Sequence, residues 1–124
     1  MKVNVKLTGN LKDKIIPEDV LKKAVDDLSQ RIKDGDTVLG YIHDGDRSLS
    51  SVSHKIESVD LYGNDLVADI KVLGTPRGKV LETLVCCPGT EFVVNGYCET
   101  KDNVVEKIDI TSIDFSLKKV LYEN

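Results

Sequence analysis

Val3, Val5 and Leu7 alternate with Lys2, Asn4 and Lys6, the two-residue period of a half-buried strand, which Gly9 and Asn10 break. A change of period follows. Val20, Leu21, Ala24, Val25, Leu28 and Ile32 share one face at helical spacing, which predicts a helix over Pro17 to Lys33. Proline at the first helical position loses no hydrogen bond, and Glu18 and Asp19 place negative charge at the positive end of the helix dipole. Asp34-Gly35-Asp36 ends the helix, with Gly35 suited to a left-handed cap.

Val38 to Ile42 reads as a short strand that stops at the polar turn His43-Asp44-Gly45-Asp46, and Ser48 to Ser53 reads as loop. A hairpin is predicted from Ser53 to Val72. Ile56, Val59 and Leu61 lead into Tyr62-Gly63-Asn64-Asp65, where Gly and Asn tolerate positive φ. Leu66, Ala68, Ile70 and Val72 alternate along the return strand. Thr75-Pro76 has the form of an N-cap followed by proline, and Val80, Leu81, Leu84 and Val85 supply the apolar face of a short helix stopped by Pro88-Gly89. Phe92 to Cys98 and Val104 to Leu117 are strands joined at Lys101-Asp102-Asn103. In the second, the apolar set moves from Ile108 and Ile110 to Ile113, Phe115 and Leu117, which predicts a bulge or bend. The order β-α-β-β-β-α-β-β, with tight turns between neighbouring strands, implies an α+β fold with a mostly antiparallel sheet and two helices on it. There is no internal repeat and no low-complexity stretch.

Composition narrows the setting more than the chemistry. At 124 residues the chain suits one domain, 1–124, around one core. Seventeen Lys and Arg against 21 Asp and Glu give a formal charge of −4, which argues against nucleic acid as a partner bound by bulk charge. No apolar run approaches the roughly 20 residues of a membrane span, so no membrane is expected. Three cysteines, two of them adjacent, make a disulfide framework unexpected and favour a reducing, cytoplasmic setting.

Candidate chemistry is sparse. His43 lies in a Gly/Asp turn where Asp44 and Asp46 could orient it, although a solvated turn histidine accounts for it as well. His54, in Val52-Ser53-His54-Lys55-Ile56, is expected to be a surface or sheet-edge histidine. Cys86 and Cys87 diverge in any regular element, unlike a Cys-x-x-Cys zinc turn, and all three cysteines, Cys98 included, are expected as small buried hydrophobes. The acidic turn at His43 to Asp46 lacks the EF-hand pattern, so no metal and no cofactor are assigned. Thr75-Pro76-Arg77-Gly78-Lys79 lacks the glycine spacing of a phosphate loop and is better explained as a helix cap. Ser48, Ser50, Ser51 and Ser53 lie near the histidines in sequence, without the form of a strained nucleophile elbow.

The linear order of motifs is more informative. Leu21-Lys22-Lys23-Ala24-Val25 precedes Leu39-Gly40-Tyr41-Ile42-His43-Asp44; Val52-Ser53-His54-Lys55-Ile56 and Gly63-Asn64-Asp65-Leu66 follow, then Thr75-Pro76-Arg77-Gly78-Lys79 and Ser112-Ile113-Asp114-Phe115. This series, from about Val3 to Leu117, resembles the prohead (capsid-maturation) proteases of tailed bacteriophages, whose core is similar to the herpesvirus assemblin fold. The resemblance implies a barrel-like sheet. It places the family's catalytic base at His43, with one residue deleted and Asp44 in place of proline. The family's nucleophilic serine, in a Gly-Val-Ser-Ser-Arg-Gly strand, has no counterpart in Glu91-Phe92-Val93-Val94-Asn95-Gly96-Tyr97-Cys98, and Cys98 could serve only after a slip in alignment.

The resemblance therefore implies a phage or prophage protein with the protease fold and without its chemistry. Such a protein is expected to act as a structural or binding module on capsid or scaffold proteins or a host factor, as a homo-oligomer if it follows the family, in the host cytoplasm or the prohead. It also leads us to expect a shortened form, without the C-terminal part common in active members. Two alternatives stay open: an active serine- or cysteine-type endopeptidase using His43 with Cys98 or another serine, and a small-molecule or nucleotide-binding module. Arg47, His54 and Arg77 are the candidate binding residues, with Lys55 and Lys79 adding charge.

Overall fold

A computed structural model describes residues 1–7, 14–42, 49–63 and 65–116. The elements are β1 (Lys2–Lys6), α1 (Glu18–Lys33), β2 (Val38–Tyr41), a 3-10 turn (Leu49–Ser51), β3 (Val52–Tyr62), β4 (Asp65–Val72), α2 (Pro76–Leu84), β5 (Glu91–Lys101) and β6 (Val104–Ser116). Six strands form one sheet in the order β2-β3-β4-β1-β5-β6. All neighbours are antiparallel except β1 and β5, which run parallel through Val5–Phe92 and Lys6–Val93. Among the described residues the two outer strands approach each other through the parallel bridge Ile42–Phe115, so the sheet curls into a nearly closed barrel with a seam between β2 and β6. The α+β class and the barrel-like sheet match the sequence expectation.

The turns follow from their residues. Asp102 and Asn103 both have positive φ (51° and 67°), the two-residue hairpin turn whose twist suits β5 and β6. Gly35, at φ 99°, follows the last turn of α1; its N–H donates to Ile32 O and that of Asp36 to Arg31 O, a Schellman closure. Pro17 stands one position earlier than expected, as the N-cap, with α1 beginning at Glu18.

Bulges allow strands to change the face they bury. In β6, Thr111 has no partner between Ser112–Asn95 and Ile110–Gly96. The core-facing set accordingly switches from Ile108 and Ile110 to Ile113 and Phe115, as the apolar pattern predicted. Glu57 does the same in β3, so His54 and Ile56 face inward before it and Val59 and Leu61 after it.

β2 is only 4 residues long, too short to wall the gap between the second half of β3 and the first half of β6. α1 fills that gap, packing on both strands and burying Leu21, Ala24, Val25 and Leu28. Each of its buried Leu and Val side chains contributes about 1.5–3 kcal/mol. The exposed Lys22–Asp26 and Lys23–Asp27 pairs add little. The Arg31 guanidinium ties the end of α1 to Ile110 O at 3.0 Å. α2 packs on β3 and β4. Thr75 caps it, accepting from Gly78 N–H at 3.0 Å while its hydroxyl donates to Val52 O.

Two expectations need correction. Val80, placed on the buried face of the second helix, is exposed: Gly78 and Leu81 point into the sheet and Leu84 is half-buried, so the buried stripe is displaced. The segment read as loop to Ser53 instead holds the 3-10 turn and the start of β3 at Val52.

Candidate functional site: a buried polar cluster at the barrel seam

At the seam, the described residues of β2 and β6 form no continuous backbone ladder, and their polar groups need other partners. Side chains supply them. The Asp114 carboxylate on β6 is fully buried, with Oδ1 accepting from Tyr41 N–H on β2 at 3.1 Å. Its Oδ2 accepts from the Asn95 amide Nδ2 on β5 at 2.6 Å. One carboxylate thus joins three strands. A buried carboxylate needs donors for its lone pairs, and Tyr41 N–H and the Asn95 amide are two of them.

The adjacent residue of β6, Ile113, faces the core, but its carbonyl receives the His54 ring, with Nε2 2.6 Å from the oxygen. A carbonyl only accepts, so Nε2 carries the proton and Nδ1 has the lone pair. Nδ1 accepts from the Ser53 hydroxyl, also at 2.6 Å. The Ser53 oxygen lies 3.4 Å from Gly40 O as well, but its single proton serves the shorter contact. Below the ring, Phe92 meets the imidazole edge-on at 5.6 Å between centroids and packs against Phe115 at 5.2 Å. Burial among these groups pushes the His54 pKa below its ordinary value of 6.5, opposed more weakly by the bond to Ile113 and the Asp114 charge. The ring is therefore neutral at physiological pH.

The expected surface histidine is thus an interior one, since the bulge at Glu57 turns the first half of β3 inward. A serine and a histidine at 2.6 Å have the spacing of a nucleophile and its base. Both side chains are nevertheless fully enclosed, and both imidazole nitrogens are engaged. Ser51, Ser112 and Ser116 are also buried. Among the described residues, no buried side-chain polar atom is left without a hydrogen bond. The arrangement is that of a structural bolt.

The sequence-nominated residues do not converge on one place. His43 and Arg47 lie outside the described residues. Cys98 is half-buried on β5 opposite Ile108, packed against the core and about 10 Å along the strand from Asn95. Arg77, half-buried in the first turn of α2, is already engaged in a polar or electrostatic contact. The hollow beside Lys55 is lined also by Asp36 and Glu57, and neither Arg77 nor Lys79 reaches it. All three cysteines are free thiols; the expectation that they are buried is corrected, because Cys86 is exposed and Cys87 and Cys98 are half-buried. Among the described residues, no group of three or more His, Cys, Asp or Glu is placed to hold a metal ion, and no helix is long and apolar enough to cross a membrane.

Asp114 and Asn95 were not nominated from the sequence. The signal for Asp114 was present, because Ser112, Asp114 and Ser116 alternate with Ile113 and Phe115 in a strand buried on both faces. Asn95 carries no such mark.

No family model matches the chain, and no curated protein matches it. Among solved structures, it is similar to the bacteriophage T4 capsid assembly protease, gp21, with a TM-score of 0.69 and 17% identity over 94% of this chain and 80% of that one. At that identity the likeness is one of architecture. The chain has a prohead-protease-like fold.

Proposed function

We propose that this chain is a phage or prophage protein that uses a prohead-protease-like fold without peptidase chemistry. It serves as a structural or binding module, either in head assembly with capsid or scaffold proteins or against a host factor. The observation that carries the reading is the state of the strand expected to hold the nucleophile. Val93 and Val94 are apolar, and Asn95 spends its amide on the buried Asp114 carboxylate. The nitrogen of a side-chain amide shares its electron pair with its own carbonyl, so Asn95 has nothing with which to attack a substrate carbonyl. The fold likeness to a capsid assembly protease supports the head-assembly setting.

The competing reading, an active endopeptidase, finds its support in the Ser53–His54 contact, but the enclosure of both side chains weighs against it. The test is incubation of the purified chain with the scaffold and capsid proteins encoded beside it. The proposal expects stable association and intact partners. Cleavage abolished by His43→Ala would overturn the non-catalytic reading, and no association with any head protein would overturn the head-assembly role.

A further inference from the structure

Where α1 crosses from β3 to β6 it leaves a groove of about 400 Å3 against the β5–β6 hairpin. Its floor is apolar, made by Val20, Ala24 and Ile108. Its rim is acidic: Asp19 from the first turn of α1, Glu99 from β5 and Glu106 at a bulge in β6, all exposed. The two rim lysines do not neutralise these carboxylates, because Lys23 is paired with Asp27 at 2.9 Å and Lys107 with Asp109 at 3.7 Å. Asp19, Glu99 and Glu106 have no ion pair of their own among the described residues. Nor are the acidic groups gathered closely enough to hold a metal ion.

An apolar floor with separated, unpaired carboxylates at its edge suits an extended cation with an aliphatic stem. Arginine meets both demands: its methylenes lie on apolar surface, while the planar, weakly hydrated guanidinium pairs with carboxylates in a fork. We propose that this groove receives an arginine-bearing segment of a protein partner. The inference rests on the reading of the chain as a binding module and names the chemistry of what it binds.

The test is an NMR titration of the full chain with a synthetic peptide alternating arginine and alanine. A lysine peptide of equal charge and an arginine-free, glutamate-bearing peptide serve as comparisons. Shifts concentrated at Val20, Ala24, Glu106 and Ile108, with tighter binding of the arginine peptide, are the expected result. Glu99→Gln with Glu106→Gln, a pair of exposed and charge-neutral changes, should weaken binding by roughly tenfold. Glu18→Gln with Asp60→Asn, in the hollow on the other side of α1, should leave it unchanged. Equal weakening by both pairs, shifts spread over every acidic surface, or equal binding of the lysine peptide would overturn the proposal. Because the readout is peptide binding, its failure is distinct from failure of the head-assembly reading, which is scored on whole head proteins.

Discussion

The imidazole of His54 occupies the space that a side chain at Gly40 would need: a β-carbon on Gly40 would lie 2.0 Å from Nε2. The two are cross-strand partners on β2 and β3, and the absence of a side chain on one lets the other cross to Ile113 O on β6. Gly40 therefore takes part in closing the barrel although it makes no contact through a side chain. Gly40→Ala should destabilise the chain by about 2–4 kcal/mol, from overpacking together with a displaced buried hydrogen bond. In a His54→Ala background most of that cost should vanish, a coupling that urea denaturation of the four proteins measures directly.

Acidification should release the same bolt. The unfolded chain takes up a proton on His54 near the ordinary value of 6.5, whereas the buried ring in the folded state does so only at lower pH. Below about 6.5 the unfolded state thus binds more protons, so the stabilisation is complete above that pH and is lost as pH falls. Urea midpoints between pH 5 and 8 should fall on the acid side. In His54→Gln the slope should be shallower, whatever its overall stability.

Asn95→Asp would set a second carboxylate against Asp114 Oδ2, where the amide now donates at 2.6 Å. Two carboxyl groups at that distance cannot both ionise without penalty. The variant should approach wild-type stability in acid and lose about 1–3 kcal/mol as pH rises through the carboxylate range. Removing Asp114 instead, as Asp114→Ala, takes away the acceptor of Tyr41 N–H and of the Asn95 amide, and should be costly at every pH.

The docking of α2 depends on another close approach. A β-carbon at Gly78 would lie 1.9 Å from Leu73 O and 3.0 Å from Ser53 O, both backbone atoms that cannot swing aside. Gly78→Ala should therefore lower stability by at least about 2 kcal/mol. Thr75→Ala, which loses the cap and the bond to Val52 O, should cost about 1 kcal/mol or somewhat more. Thermal or urea denaturation separates the two.

Much of the fold was legible because local chemistry and tertiary packing agree. Gly35 follows a helix and takes positive φ, Thr75-Pro76 caps the next helix, and the face switch between Ile110 and Ile113 marks a real bulge. The candidate site was less legible because there tertiary register overrides the local pattern. His54 shares a parity with Ile56, but Val59 and Leu61 lie on the other, and only the bulge at Glu57 makes both pairs internal. Without that register, a histidine flanked by serine and lysine reads as surface. Val80 misled in the opposite direction, because a helix that presses a glycine into the sheet turns its valine outward. Asp114 and Asn95 are joined by pairing between two strands, a relation that no single window of sequence contains.

The most direct test of the non-catalytic account is covalent labelling of the folded chain, followed by intact-mass and peptide analysis. A serine-directed fluorophosphonate and a thiol-directed probe would be applied to a Cys86→Ser, Cys87→Ser background, which removes the exposed thiol that would react in any case. The account predicts no stoichiometric serine adduct, with Ser53 protected by its enclosure, and slow labelling of Cys98 unaffected by His43→Ala. A rapid one-to-one adduct on any serine or on Cys98, lost on mutation of His43 or His54, would contradict it.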